Sequence, residues 1–580
     1  MSAIDERLLE ARTLQLGREM FERVAGSAAS IVQAEWWEER LMQQCMRSEW
    51  LKVQSFRFVD ALPTMSGPRD IARHLREYFA NGDGGNGRHY STRQAEAEAA
   101  LTELDPRGSD RIIGLISRAM DFSRLDSLPA RIAAAVAWKG ATAMAHRFIA
   151  GSNPRQAEKA IRRMRGKRMA FTIDVLGEAA VSTAEALNYQ QTYANLITEL
   201  SRHARGWPTV EQIDLADGQP LPRVNVSVKL SSIYSQFDSI DPVGTKRIVK
   251  ERLRPLLREG MRTGSHIHVD MEHYAIKDVT LQLCREVFME DEFRDYPHFG
   301  VVLQAYLKDC ERDARELIDW VRQRGTPIWV RLVKGAYWDT ETVASQQQHW
   351  PCPVFEQKWQ TDACFERVTR LLLENHEHIY TAVASHNVRS LAHGMALRQL
   401  LEIPSSRFEL QMLFGMGDPI KRAGVQMGQR CRIYTPYGEL LPGMAYLIRR
   451  LLENTANESF LRHTTTTDVP VDELLQDPAE TGRGTPPPQE PLVIRYEFEE
   501  PVMHDFANVP NTDFGVEDNQ RQMRDALASV RADFGQEYPL VVGGERLTTG
   551  QWKESLNPSR PAEVIGKVAQ ADNDTAEKTA

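Results

Sequence analysis

A chain of 580 residues is long enough for about four ordinary domains, or for one large fold with appendages. Its composition, 42% apolar, 26% charged and 8% aromatic, excludes a wholly disordered or collagen-like polypeptide. The formal charge of −9 comes with no long basic block, which argues against DNA as a partner, and no apolar run reaches the length of a membrane span.

The N-terminus (MSAIDERLLEAR) is charged and unlike a signal peptide, so a cytoplasmic location is expected. Six cysteines, Cys45, Cys284, Cys310, Cys352, Cys364 and Cys431, form no CxxC pair and fit a reducing compartment. Residues 1–85 read as a helical arm, with NGDGGNG at 81–87 as a break. Residues 86–155 read as an Ala-rich helical support region closed by GSNP. From 156 to 460 short β-rich segments alternate with helical ones. The expected strands are Ala170–Leu176, Arg223–Leu230, His266–Met271, Gly300–Tyr306, Ile328–Lys334, Ile379–Ser385, Phe408–Phe414 and Arg430–Thr435, followed by a helix over Leu440–Glu453. Eight β–α units predict an α/β fold, a (β/α)8 barrel of parallel strands. A doubly wound sheet is the alternative, weakened by the lack of GxGxxG at the first β–α turn. Residues 461–535 read as an extended, proline-rich linker with a short helix near 517–534. Residues 536–580 read as hairpin strands and the start of a helix, too few for a domain of their own.

In such a barrel the chemistry sits at the carboxyl ends of the strands. In strand order these ends carry Asp174 with Glu178, Lys229, Asp270 with Glu272, Gln304, Arg331 with Lys334, His386 with Asn387, Gln411, and Tyr434. A full ring of hydrogen-bonding side chains exceeds what solubility requires and predicts a site. HIHVDMEH at 266–273 offers a metal alternative, but His266 lies about 13 Å down the strand from Asp270, toward the barrel floor, where packing is the default. No metal is expected. A large organic cofactor fits better. Arg331 and Lys334, with the amides around Gly335, suit a pyrophosphate or an electron-rich ring, and Gln304, Gln411, His386 and Asn387 can bond a heterocycle edge. The plainer readings are a solvated rim pair for Arg331–Lys334 and packing on a helix start for Tyr337–Trp338. GMGDP at 415–419 reads as a tight turn. Arg449 and Arg450 can fork around a carboxylate if their helix crosses the mouth; otherwise they are surface arginines, one paired with Glu453 at i+4.

The segments FTIDVLGEA, NVSVKLSS, HVDMEHYAIKD, VVLQAYLKD, WVRLVKGAYWDTE, ASHN, FELQMLFGM, RIYTPYGE and YLIRRLLEN resemble proline dehydrogenase in order and spacing. More narrowly, the chain from about residue 15 onward resembles the N-terminal half of the bifunctional proline utilization A family, whose second activity is L-glutamate-γ-semialdehyde dehydrogenase. The resemblance implies noncovalent FAD at the barrel top and oxidation of L-proline to Δ1-pyrroline-5-carboxylate. It further implies hydride transfer to flavin N5 and electrons passed to a quinone at a membrane met peripherally. By the same resemblance Lys229, Arg449 and Arg450 would hold the proline carboxylate, and Tyr434 and Tyr446 would wall the ring. Asp270 and Glu178 would orient the arginines, and Arg331 would sit near flavin N5, with Lys229, Asp270 and Arg331 forming the catalytic set. Met271, Gln304, Lys334, Gly335, Tyr337, Trp338, His386, Asn387, Gln411 and Glu453 would complete the FAD site.

Two departures qualify the expectation. Some relatives begin with a ribbon-helix-helix DNA-binding segment, which is not seen before residue 15, so repression of transcription is not expected. PLVVGGERL and the segment after it resemble only the first strands of an aldehyde dehydrogenase, so the NAD-dependent second step is expected only in a longer chain. Two rivals stand beside this reading: a barrel lyase using Lys229 as a Schiff base, and a scaffold fragment without flavin. An oligomer is compatible with all of them.

Overall fold

The computed structural model describes residues 4–26, 65, 67–75, 77, 148–177, 179–439, 470–483 and 509–577. Within them eight strands close into a barrel. They are β1 (Ala170–Val175), β2 (Asn225–Val228), β3 (His266–Val269), β4 (Phe299–Gln304), β5 (Ile328–Val333), β6 (Ile379–Ala384), β7 (Phe408–Leu413) and β8 (Cys431–Tyr437). Every neighbouring pair is parallel, and β1 closes the ring by pairing with both β8 and β2. All eight expected strands are present, with ends within two residues of those read from the sequence. The expected helix over 440–453 and nearly all of 86–155 lie outside the described residues.

In most strands polar and apolar residues alternate, and the alternation sorts chemistry by face. Phe171, Ile173, Val226, Val228, Ile267, Val269, Val330, Leu332, Leu410 and Ile433 point outward and form one apolar cluster with the surrounding helices. The residues between them are polar: Thr172 and Asp174, Asn225 and Ser227, His266 and His268, Glu409 and Gln411, and Arg432. They bond between neighbouring strands, as Thr172 does to Asn225 at 2.7 Å, and across the lumen, as Arg331 does to Ser227 at 3.0 Å. The apolar core of this barrel is therefore its outer jacket, and its lumen is a stack of polar layers.

Local signals start and stop the jacket helices. Asn153, Ser182, Asp241 and Asn387 cap the helices Pro154–Gly166, Thr183–Ala204, Pro242–Thr263 and Val388–Leu400 through their side chains. Gly264 and Gly325 end their helices with left-handed backbone. The N-terminal helix Glu6–Gly26 lies on Val388–Leu400 and Asp418–Gln426. Leu9, Leu16 and Met20 are buried beneath it. Arg389 joins it to the rest, donating to Glu10 and Glu366 at 2.8 Å and to the Leu475 carbonyl at 2.6 Å. The helix Glu517–Ala532 and the small sheets over 536–569 are mostly exposed; the segment before them docks on the barrel where the Glu517 amide donates to Asp278 at 3.0 Å. No helix among the described residues is long and apolar enough to cross a membrane.

At the barrel floor Glu409 accepts from Arg430 at 2.9 Å and from Arg432 at 2.7 Å. Burial alone would raise its carboxyl, but the two guanidiniums hold it down at about 2. Because the folded value lies below the ordinary range near 4.3, the stabilisation is complete above that range and is lost as pH falls toward 2. Glu409→Gln should therefore cost about 3–5 kcal/mol at neutral pH. The gap to the parent should close between about pH 4 and pH 2, read by denaturant unfolding at a series of pH values.

Candidate functional site

The carboxyl ends of the strands open into a cavity of about 530 Å³, within the range of small-molecule sites. Asp174, Lys229, Asp270, Met271, Gln304, Arg331, Lys334, Gly335, Tyr337, His386, Gln411 and Tyr434 all line it, so most of the residues expected from the strand ends are brought together.

Arg331 is the hub. Its Nη1 donates to Asp270 at 2.6 Å, its Nη2 to Ser227 at 3.0 Å and its Nε to Gln411 at 2.7 Å. Its guanidinium lies 5.1 Å from the centre of the Tyr434 ring. The Tyr434 hydroxyl donates to the other oxygen of Asp270 at 2.6 Å. Burial and the nearby carboxylates push that phenol well above its ordinary range, so it remains a donor. Lys229 is paired with Asp174 and stands 3.8 Å from Asp270. Burial pulls its ammonium down, but Asp174 and Asp270 outweigh this and raise it well above the usual lysine range. Two cations thus meet two carboxylates in one buried layer.

Arg331 and Lys334 both border the cavity, as expected of two cations at one strand end, but their side chains take different partners. Three residues apart on an extended chain, they project to opposite faces. Arg331 enters the lumen, whereas Lys334 reaches Asp362 at 2.5 Å and lies 5.6 Å from the Phe365 ring. Asp270, expected to orient the arginines at 449–450, is engaged by Arg331 and Tyr434 among the described residues. His386 accepts the Leu413 amide at Nε2 at 3.0 Å. Asn387 caps the following helix, accepting from Ser390 at 3.1 Å. Trp338 is 43% exposed and donates its indole N–H to the Phe355 carbonyl; neither it nor Asn387 borders the cavity. Glu178, Tyr446, Arg449, Arg450 and Glu453 lie outside the described residues.

The sequence reading missed the wall formed by Gly177, Glu185 and Tyr189. The last two sit on a helix, beyond the strand ends that were searched. Gly177 has φ +126°, and a Cβ there would overlap the Tyr189 hydroxyl, so the close approach itself demands glycine. His266 and His268 sit low in the lumen. His268 Nε2 meets the Val301 carbonyl at 3.0 Å, and its Nδ1 meets His266 Nε2 at 3.3 Å. Burial first, then the neighbouring arginines, holds both well below the ordinary histidine range and hence neutral.

Two features test the fit of a flavin cofactor. Gln304 spends its amide N–H on the Glu272 carbonyl at 3.0 Å, leaving a buried Oε1 that no described protein donor reaches. Gly335 has φ +141°, and a Cβ there would overlap the Tyr306 ring, so bare backbone is presented to the cavity. A free acceptor and exposed backbone beside a cation suit a heterocycle with a phosphate tail.

Parallel strands closed into a barrel, with a charged cavity at their carboxyl ends, define a (β/α)8-barrel enzyme architecture. The family model for proline dehydrogenase matches residues 157–463, and that for the proline utilization A N-terminal domain matches 10–104. The chain belongs to the proline dehydrogenase family of enzymes. Proline dehydrogenase 1 of Bacillus subtilis is 30% identical over 317 residues, covering 55% of this chain and 89% of that protein. The bifunctional protein PutA of Escherichia coli is 28% identical over 444 residues, 74% of this chain and 32% of that protein. A solved structure of proline utilization A from Bdellovibrio bacteriovorus, inactivated by N-propargylglycine, superposes with a TM-score of 0.79 at 36% identity. That match covers 99% of this chain and 53% of the other. The chain spans about a third of the length of the curated PutA proteins it matches.

The Asp174–Lys229 pair yields a direct test. Lys229→Met should cost about 3–5 kcal/mol, because it leaves Asp174 buried and facing Asp270. Adding Asp174→Asn should recover much of that loss, so a double-mutant cycle should return a coupling of about 1–3 kcal/mol; strictly additive effects would contradict the pairing.

Proposed function

We propose that the cavity binds FAD and L-proline together and that the chain oxidises L-proline to Δ1-pyrroline-5-carboxylate. The single observation behind this reading is the buried Arg331–Asp270–Tyr434 layer beside Lys229, roofed by a cavity large enough for a ring system, in a chain of the proline dehydrogenase family. FAD would accept the hydride and its two electrons, which a quinone at a membrane surface would then remove.

The chain's own residues supply binding and order. Lys229 has three N–H donors, of which Asp174 takes one. A second can meet the proline carboxylate, joined by Arg449 and Arg450, whose forks suit a carboxylate. Tyr434, with Tyr446, would wall the proline ring. Asp270 holds Arg331 in one orientation, which keeps a cation where the cofactor's ring gains charge. Gln304, Gln411, His386 and Met271 would border the ring, and Lys334, Gly335 and Tyr337 its phosphate-bearing tail. Such a clamp fixes the reacting carbon in place, which is where most of the rate advantage of an oriented pair arises. Glu178 and Glu453 complete the proposed set; Trp338 and Asn387, which do not border the cavity, are assigned to the starts of the helices beside it.

A Schiff-base mechanism at Lys229 is disfavoured on chemical grounds. A nucleophilic amine needs a depressed pKa, and Asp174 and Asp270 push this one the other way. We assign residues 1–85 to an arm, 86–155 to a support region, 156–460 to the barrel and 461–535 to a linker. Residues 536–580 are assigned to the start of an aldehyde dehydrogenase domain. We place the protein in the cytoplasm, meeting the inner face of the membrane peripherally.

Two experiments test the reading. Anaerobic titration with L-proline should bleach the flavin band of the purified protein, and an unrelated amino acid should not; a band indifferent to proline would refute the substrate. Arg449→Ala and Arg450→Ala should each raise KM for proline by about tenfold or more with flavin retained, because each removes a charged hydrogen bond. An unchanged KM in both would refute the clamp.

A further inference from the structure

At the opposite end of the lumen from the proline site lies a second, much smaller cavity of about 20 Å³. It is bordered by Leu221 and Pro222 from the loop before β2, by His266 and Trp329, by Arg430 and Arg432, and by Glu409 and Gln411. This is room for one water-sized occupant.

The charges around it do not balance. Glu409 is the carboxylate between Arg430 and Arg432. It accepts from Arg432 Nε at 2.7 Å and Nη2 at 3.1 Å, from Arg430 Nε at 2.9 Å and from Gln411 Nε2 at 2.7 Å. Four bonds use the full capacity of a carboxylate. Arg432 spends its Nη1 on the Phe171 carbonyl at 2.7 Å. Arg430 does not achieve the same. Its side chain is only 5% exposed, its guanidinium stacks 5.0 Å from the Trp329 ring, and its Nη1 and Nη2 reach no acceptor among the described residues. Higher in the lumen Arg331 is matched by Asp270 and Lys229 by Asp174, so neither layer can lend a negative charge. His266 and His268 are neutral and add none. The floor holds two positive charges against one negative.

A buried charge without a counter-charge is costly, and a water molecule would satisfy hydrogen bonds without neutralising it. We propose that the barrel floor binds one small monovalent anion of chloride size, held by the Nη groups of Arg430 beside Arg432 and His266. Gln411 borders both this cavity and the larger one at the strand ends, whereas Arg430, Arg432 and His266 border only the floor. The site serves the fold by completing the charge balance beneath Glu409 and Gln411.

The test uses bromide and chloride on the full chain. Crystals grown in bromide should give an anomalous peak within contact distance of Arg430 Nη. In solution, replacing gluconate by chloride at constant ionic strength should raise Tm saturably by about 2 °C or more. Arg430→Met should abolish both effects. Should that variant fail to fold, the two wild-type measurements still decide. A floor cavity without an anomalous peak overturns the proposal, as does an equal Tm in both salts. A bromide peak with no saturable response in solution, meaning binding at crystal concentration only, also overturns it.

Discussion

The pairing of Arg331 with Asp270 is the constraint around which the barrel is arranged. A guanidinium buried in the lumen has no water to fall back on, and leaving it unpaired would cost several kcal/mol. Each of its bonds therefore recruits a different strand: Asp270 just after β3, Ser227 in β2, Gln411 in β7. Asp270 in turn binds Tyr434 from β8, and Gln411 binds Glu409, which gathers Arg430 and Arg432. One continuous hydrogen-bonded column thus runs from the floor to the mouth. Networks of this kind specify a single arrangement when fully satisfied and are damaging when partly broken.

The column also explains how far the sequence could be read. The eight strands were legible because β-branched runs alternate with helical periodicity, and the mouth was legible because a parallel barrel puts its chemistry at strand ends. Asp174, Lys229, Asp270, Gln304, Arg331, Gln411 and Tyr434 were found in this way and do share one cavity. Reading only the last polar residue of each strand was also the source of the gaps. Glu409, Arg430 and Arg432 lie lower in the lumen and looked like ordinary strand polars. Lys334 was grouped with Arg331 by proximity in sequence, although strand pleating turns it toward Asp362. Glu185 and Tyr189 approach from a helix whose placement no local pattern announces.

The two faces of the sheet divide the labour. Most outward positions are apolar and anchor the helical jacket, while the charges sit at inward positions, beside a few apolar ones such as Val302 and Ala384. Stability from area burial and chemistry at the site therefore draw on different residues of the same strands. Substitutions that refill the jacket can act on the fold without touching a polar partner inside.

The clasp around Arg389 ties segments from both ends of the described chain to the barrel. This guanidinium is inside the span that matches the proline dehydrogenase model, whereas one of its two carboxylates, Glu10, lies in the span that matches the proline utilization A N-terminal domain, and its carbonyl partner, Leu475, lies after both. Gly17 lies against Leu475, so the leading helix and the trailing segment touch each other as well as the barrel. A fragment trimmed to the barrel alone would strip Arg389 of half its counter-charge and uncover Leu9, Leu16 and Met20's partners on the jacket. The leading helix and the trailing segment thus share one ion-pair cluster with the barrel's outer wall, although both lie outside the span that matches the proline dehydrogenase model.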